Sequence, residues 1–169
     1  AQIPGFYGQL ENGIFLSFYL NPHRAIETNI QRYESNLGLA HEKKGSAIKP
    51  LDDQFQIRAC TPDDVDEMAE VYKAVFPSYP FPIFDPGYLR ETMHTHIDYF
   101  CVEYAGKIVS LSSAEKDEEV LNVEMTDFAT LPSSLGKGFA VHLLGMMERK
   151  MVEQGMRTAY TIARAASPG

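Results

Sequence analysis

The chain has 169 residues, 44% of them hydrophobic, enough for one domain with a real core or one domain plus part of another. Fifteen basic against twenty-three acidic residues give a net charge of −8, which argues against a nucleic-acid or anionic-membrane surface and favours small cationic partners. Cys60 and Cys101 sit in apolar, strand-like runs without metal spacing, so reduced buried thiols and a cytoplasmic setting are expected, and no apolar run approaches the roughly 18 residues of a membrane span.

In chain order, residues 6–20 alternate around the turn-forming Glu11-Asn12-Gly13, which predicts a hairpin with 14–19 as its second arm. A polar helix is expected over about 24–35. Residues 38–53, with their glycines, lysines and Pro50, then read as a linker. The composition shift divides the chain into 1–37, expected to be the remnant of a preceding domain, a linker over 38–54, and a second domain over 55–169. Residues 55–59 predict a strand. Thr61-Pro62-Asp63-Asp64 opens a helix, with an N-cap hydroxyl, proline at the first helical position and acids on the positive dipole end. Its apolar face is Val65, Met68, Ala69, Tyr72 and Phe76. The stretch PSYPFPIFDPG cannot be regular, and Asp85-Pro86 caps a short helix reaching about His94.

Strands over 99–104 and 108–114 flank Ala105-Gly106-Lys107, and the acidic run 115–119 reads as a solvated hairpin tip. A third strand over 120–131 is stopped by Pro132. A helix follows the glycines, with Ala140, Leu143, Leu144, Met147 and Met151 as its buried stripe and Gly155 as its stop. The last strand-like run is 158–165, so the chain reads as a fragment cut at both ends.

The loop LGKGFA, 135–140, meets the helix N-terminus, where converging amides and the dipole suit a phosphate. A P-loop is excluded because Gly138 and Phe139 follow Lys137. A Rossmann loop would need glycine at Val141 and parallel strands upstream. His94 and His96 diverge on a helix and lack a third ligand, so no metal is expected.

That loop resembles the acyl-CoA loop of the Gcn5-related N-acetyltransferase family, Arg/Gln-x-x-Gly-x-Gly/Ala, with Leu135 departing where Arg or Gln is usual. The element order agrees independently. Residues 76–93, 126–148 and 158–169 further resemble the beta-lysine N-acetyltransferase branch, as does IPGFY at 3–7. The resemblance implies an α+β fold, an α/β/α sandwich around a mainly antiparallel sheet, truncated after its fifth strand. It implies acetyl-CoA as co-substrate and the ε-amine of beta-lysine, a precursor of a compatible solute, as acceptor. The usual thiolate-protonating tyrosine would lie beyond Gly169, so weak or no activity is expected of these residues alone.

For the site, the resemblance implies that pantetheine lies beside Phe128, Ala129 and Thr130, and that the pyrophosphate meets the amides of Leu135, Gly136, Lys137, Gly138, Phe139 and Ala140. An alkylammonium of pKa about 10.4 must lose a proton, a deficit of roughly 4.6 kcal/mol at pH 7. Glu124, at the position of the glutamate base in histone-type members, is the first candidate and Asp127 the second. In a regular strand these two point to opposite faces, which a bulge would change. Tyr79, Phe81 and Asp85 are candidate acceptor contacts, Asp85 also being a helix cap. Arg164 is a candidate for an acceptor carboxylate. The competing reading is a non-catalytic acyl-CoA-binding module.

Overall fold

A computed structural model of the chain describes residues 2–43 and 48–163, with only the backbone of Arg24. Five strands form one mixed sheet in the order β3-β4-β5-β6-β7: β3 (Phe55–Ala59), β4 (Ile97–Tyr104), β5 (Lys107–Asp117), β6 (Asn122–Thr130) and β7 (Thr158–Tyr160). Neighbours are antiparallel except β6 and β7, which run parallel.

Both faces of the sheet are covered because alternate residues of β4 are apolar on both sides. Tyr99 and Cys101 face α2 (Val65–Val75) and α3 (Pro86–Thr95), whereas Phe100 and Val102 face α4 (Phe139–Glu153). In α2 the buried residues are Val65, Met68, Ala69, Val71 and Tyr72. In α4 they are Phe139, Leu143, Met147 and Met151. Ala140, expected in that stripe, is exposed, because Phe139 one position earlier turns into the core against Phe55, with ring centroids 4.9 Å apart. Gly155 ends the helix at φ +85, and the Met156 amide returns to Met151 O at 2.9 Å.

Two regions differ from the sequence reading. The N-terminal hairpin pairs β1 (Gln2–Tyr7) with β2 (Glu11–Ile14), so Glu11-Asn12-Gly13 lies inside a strand, and residues 15–20 are irregular. The turn falls at Gly8 and Gln9, both at positive φ. Asn12 Oδ1 instead accepts from Gly5 N at 2.9 Å, and Gly13 is covered so closely by the Phe6 ring that a Cβ would lie 2.9 Å from it. The first helix, α1, spans Ile30–Glu42 rather than 24–35, extending into the expected linker. Asn21 starts only a short 3-10 turn at Pro22–Ala25, its side chain accepting from His23 N.

The hairpin is tied to the sheet. Gly8 N donates to Val120 O at 3.0 Å, Asn122 Nδ2 to Phe6 O at 3.0 Å and Thr158 Oγ1 to Gly5 O at 2.8 Å.

Arg58 on β3 locks the start of α2. Its guanidinium donates to both oxygens of Asp64 at 2.8 and 2.9 Å and to Glu103 at 2.9 Å, while Asp64 Oδ2 also accepts from Thr61 N at 2.7 Å. The Arg58 hydrogen bond is the main cause that holds the Asp64 carboxyl down to about 2, against an ordinary 3.8. A depressed carboxyl stabilises the fold above its unfolded pKa, and that contribution is lost as pH falls through the folded one. Asp64→Asn is therefore expected to lose about 1 kcal/mol at pH 7. In urea titrations its deficit from wild type should narrow between pH 4 and pH 2; an unchanged gap at pH 2 would assign the loss to geometry rather than charge.

Candidate active site

β6 ends at Thr130, and Pro132 starts a 3-10 turn in which Ser134 N donates to Leu131 O at 2.8 Å. The chain then reverses through Gly136 and Gly138, at φ +77 and +76, a conformation that L side chains adopt only with strain. Gly138 is the N-cap of α4, and its carbonyl accepts from Val141 N and His142 N. Among the described residues, the amides of Gly136, Gly138, Phe139 and Ala140 donate to no protein acceptor. Orphan amides at the positive end of a 15-residue helix make an anion site, and a Cβ at either glycine would meet open space, so the backbone is approachable. Leu135 is exposed. Lys137 places its ammonium 5.3 Å from the Phe55 ring centroid, so the loop offers backbone donors first. These features fit the pyrophosphate of a coenzyme A.

Beside that loop the sheet forks. β7 pairs with β6 only at Asn122, Val123 and Glu124, so among the described residues Phe128, Ala129 and Thr130 have a strand on the β5 side alone. An extended chain could be received along that open edge.

Against the α2–α3 face of the same strand lies a cavity of about 310 Å³. Tyr79 and Phe81 reach it from the irregular segment between α2 and α3, Tyr88 from α3 and Tyr99 from β4, and Glu115, Glu124 and Asp127 supply its carboxylates. The run 115–119 is therefore not simply a hairpin tip. β5 continues through Asp117, and Glu115 sits directly opposite Glu124. Asp85 does not line the cavity; its Oδ1 caps α3 by accepting from Gly87 N at 2.8 Å. Arg164 lies outside the described residues. His94 and His96 make local contacts, to Arg90 O at 2.6 Å and Thr95 Oγ1 at 2.8 Å.

Glu124 and Asp127 share this cavity because β6 is bulged. Ser113 pairs with Thr126 but Leu111 with Ala129, so β6 carries one residue more than β5 between them, and Asp127 takes φ +56. The two carboxylates are otherwise unlike. Asp127 Oδ2 accepts from Ser113 Oγ at 2.6 Å, and its Oδ1 accepts from Tyr79 Oη. Among the described residues no side chain donates to Glu124. Burial, and then the negative charges of Glu115 and Asp127, push its carboxyl above the ordinary value. A carboxylate with raised proton affinity and no competing donor is suited to accept a proton from an ammonium. Burial first, and then the bond to Asp127, raise the Tyr79 phenol, which therefore remains a donor at neutral pH.

Ser113, Glu115, Tyr88 and Tyr99 were not singled out from sequence. A serine inside an apolar strand was the available signal for Ser113, since a buried hydroxyl needs a partner. Glu115 and Tyr99 depend on strand register, and Tyr88 on how α3 packs against the sheet.

A family model described as the acetyltransferase (GNAT) family matches residues 65–167. The beta-lysine N(6)-acetyltransferase of Methanococcus maripaludis is 36% identical over 168 residues, 96% of this chain and 61% of that protein. Its counterpart from Methanosarcina mazei is 34% identical over 165 residues, 91% of this chain and 61% of that protein. The chain thus spans 61% of the length of both relatives. Among solved structures, the PaiA N-acetyltransferase from Thermoplasma acidophilum in complex with coenzyme A gives a TM-score of 0.55 at 12% identity. The match covers 64% of this chain and 79% of that one, a likeness of fold.

The Glu124 carboxyl is expected to titrate under the joint influence of burial and its carboxylate neighbours. In a carboxyl-detected NMR titration its midpoint should lie above the ordinary glutamate value, and Glu115→Gln should lower it without restoring that value, because burial is the larger cause. A midpoint unmoved by Glu115→Gln would mean that the opposed carboxylates do not interact.

Proposed function

We propose that this chain, which belongs to the acetyltransferase (GNAT) family, carries the donor loop and acceptor cavity of an acetyl-CoA-dependent N-acetyltransferase acting on the ε-amine of beta-lysine. The observation that carries the reading is the pairing of two halves on one strand. The bulge of β6 turns Glu124 and Asp127 into one cavity, and the same strand leads into the unpaired amides of Gly136, Gly138, Phe139 and Ala140. The named activity of the two relatives supports the choice of acceptor.

In this reading residues 55–169 carry the chemistry, and the hairpin of 1–37 buttresses the end of the sheet through its bonds to Val120, Asn122 and Thr158. The donor supplies an acyl group already activated as a thioester. Glu124 accepts the proton that the acceptor ammonium must lose, and the neutral amine nitrogen bonds to the acyl carbon. The carbon–sulfur bond then breaks with the electron pair leaving on sulfur, and the thiolate takes up the second proton, which the nitrogen sheds as it becomes an amide. Phe81 and Tyr99 flank the aliphatic stem, and the excess of carboxylates favours a substrate with more than one ammonium. Beta-lysine carries two ammonium groups and one carboxylate. Acetylating one of them leaves a molecule with no net charge, as suits a compatible solute accumulated in osmoadaptation. The free thiols of Cys60 and Cys101 fit a cytoplasmic setting.

Leu135, standing where relatives of the loop pattern carry Arg or Gln, favours the second reading, a non-catalytic acyl-CoA-binding module. Mixing the full-length protein with acetyl-CoA and beta-lysine separates the two. The proposal expects thiol release above the hydrolysis blank. Glu124→Gln should lower kcat about 10²–10⁴-fold with calorimetric coenzyme A binding unchanged. Coenzyme A binding without thiol release from any amine supports the module; release with other diamines but not beta-lysine overturns the acceptor.

A further inference from the structure

The irregular segment 77–84 forms one wall of the cavity, contributing Tyr79, Pro80, Phe81 and Ile83. Three prolines, Pro77, Pro80 and Pro82, deprive it of backbone donors, and its remaining backbone bonds are short-range ones such as Ile83 N to Phe81 O at 2.8 Å. The wall's polar tie to the bulge runs from Tyr79 Oη to Asp127 Oδ1, beside the apolar anchor of the buried Ile83. The other carboxylate oxygen is held by the fully buried Ser113, from the strand opposite. Asp127 is thereby fixed twice over. Its backbone is set by the bulge at φ +56, a conformation that Asp and Asn tolerate better than other side chains, and its carboxylate is set by a hydroxyl from the core.

Both oxygens being engaged, we propose that Asp127, Ser113 and Tyr79 form a latch that clamps the acceptor wall onto the bulged strand. Asp127 is then a positioning residue that sets acceptor affinity and does not take the amine's proton. The inference rests on the reading of this cavity as the acceptor site. Tyr79 connects the latch to the apolar interior as well, its ring centroid lying 5.0 Å from that of Phe76, which stacks in turn on Tyr72 at 6.0 Å. Losing the hydroxyl would leave the Tyr79 ring and the buried Ile83 packed but remove the wall's polar tie to β6, so the latch acts on the position of Phe81 and Pro80 and not on folding of the sheet.

Tyr79→Phe is the main test because it leaves the bulge intact. In the full chain it should raise the acceptor KM about tenfold while kcat and the acetyl-CoA KM change less than threefold. Asp127→Asn, whose amide can still pair with both hydroxyls at φ +56, should stay closer to wild type than Asp127→Ala. Hydrogen exchange followed by mass spectrometry gives a readout independent of turnover: Tyr79→Phe should speed exchange in 77–85 and leave β4 unchanged. If the full chain acetylates no amine, faster exchange still supports the latch while the functional reading fails. The latch is overturned if exchange in 77–85 is unaltered, or if Asp127→Asn loses kcat as completely as Glu124→Gln.

Discussion

Between the pairs Ser113–Thr126 and Leu111–Ala129, β6 must accommodate one residue more than β5, and the backbone absorbs it by turning Asp127 to φ +56. The rest of the site depends on that extra residue. In an unbroken strand Glu124 and Asp127 would point to opposite faces, one toward α2 and α3 and the other toward α4. The bulge brings both to the cavity on the α2–α3 side and sharpens the local twist, consistent with β7 following β6 for only three residues before the two part. One irregularity thus accompanies both this cavity and, among the described residues, an open strand edge.

The two carboxylates then diverge in character through their surroundings. Asp127 is surrounded by hydroxyl donors and is structurally engaged, whereas Glu124 is partly buried, opposed by Glu115 across the strand pair and without a side-chain donor among the described residues. Like charges placed opposite each other in a sheet are unfavourable, and the arrangement is relieved when a proton or an ammonium enters. The glycine loop has the opposite polarity: among the described residues it offers unpaired amides and the positive end of α4 on a protein whose net charge is −8. In the proposed reading, a negative cavity and a locally positive loop joined by one strand separate the binding of a cationic amine from that of an anionic donor.

Much of the frame was legible because local rules agreed with the tertiary structure. β3 falls at the expected residues, Thr61-Pro62 starts α2 through its bonds with Asp64, and Gly155 ends α4. The glycine turn was readable because its conformation lies in the backbone, with Gly136 and Gly138 both at positive φ. The N-terminal hairpin was misplaced since Asn12-Gly13, a strong turn signal, is held within a strand by the Gly5 amide and the Phe6 ring. The cavity was legible only in part. Tyr79, Phe81, Glu124 and Asp127 were named, but no residue in MTDFAT announces a bulge, without which the role of Ser113 does not follow, and the pairing of Glu115 with Glu124 needs the strand register. Asp85 shows the limit of residue type as a guide, its carboxylate serving Gly87 N at the start of α3.

The most direct test of this account is a crystal structure of the full chain with coenzyme A and beta-lysine. The account predicts the pyrophosphate on the amides of Gly136 to Ala140 and one substrate nitrogen within about 3 Å of the Glu124 carboxylate, with Asp127 still bound to Tyr79 and Ser113. A substrate nitrogen on Asp127 with the Tyr79 contact broken, or a coenzyme seated away from the fork between β6 and β7, would contradict it.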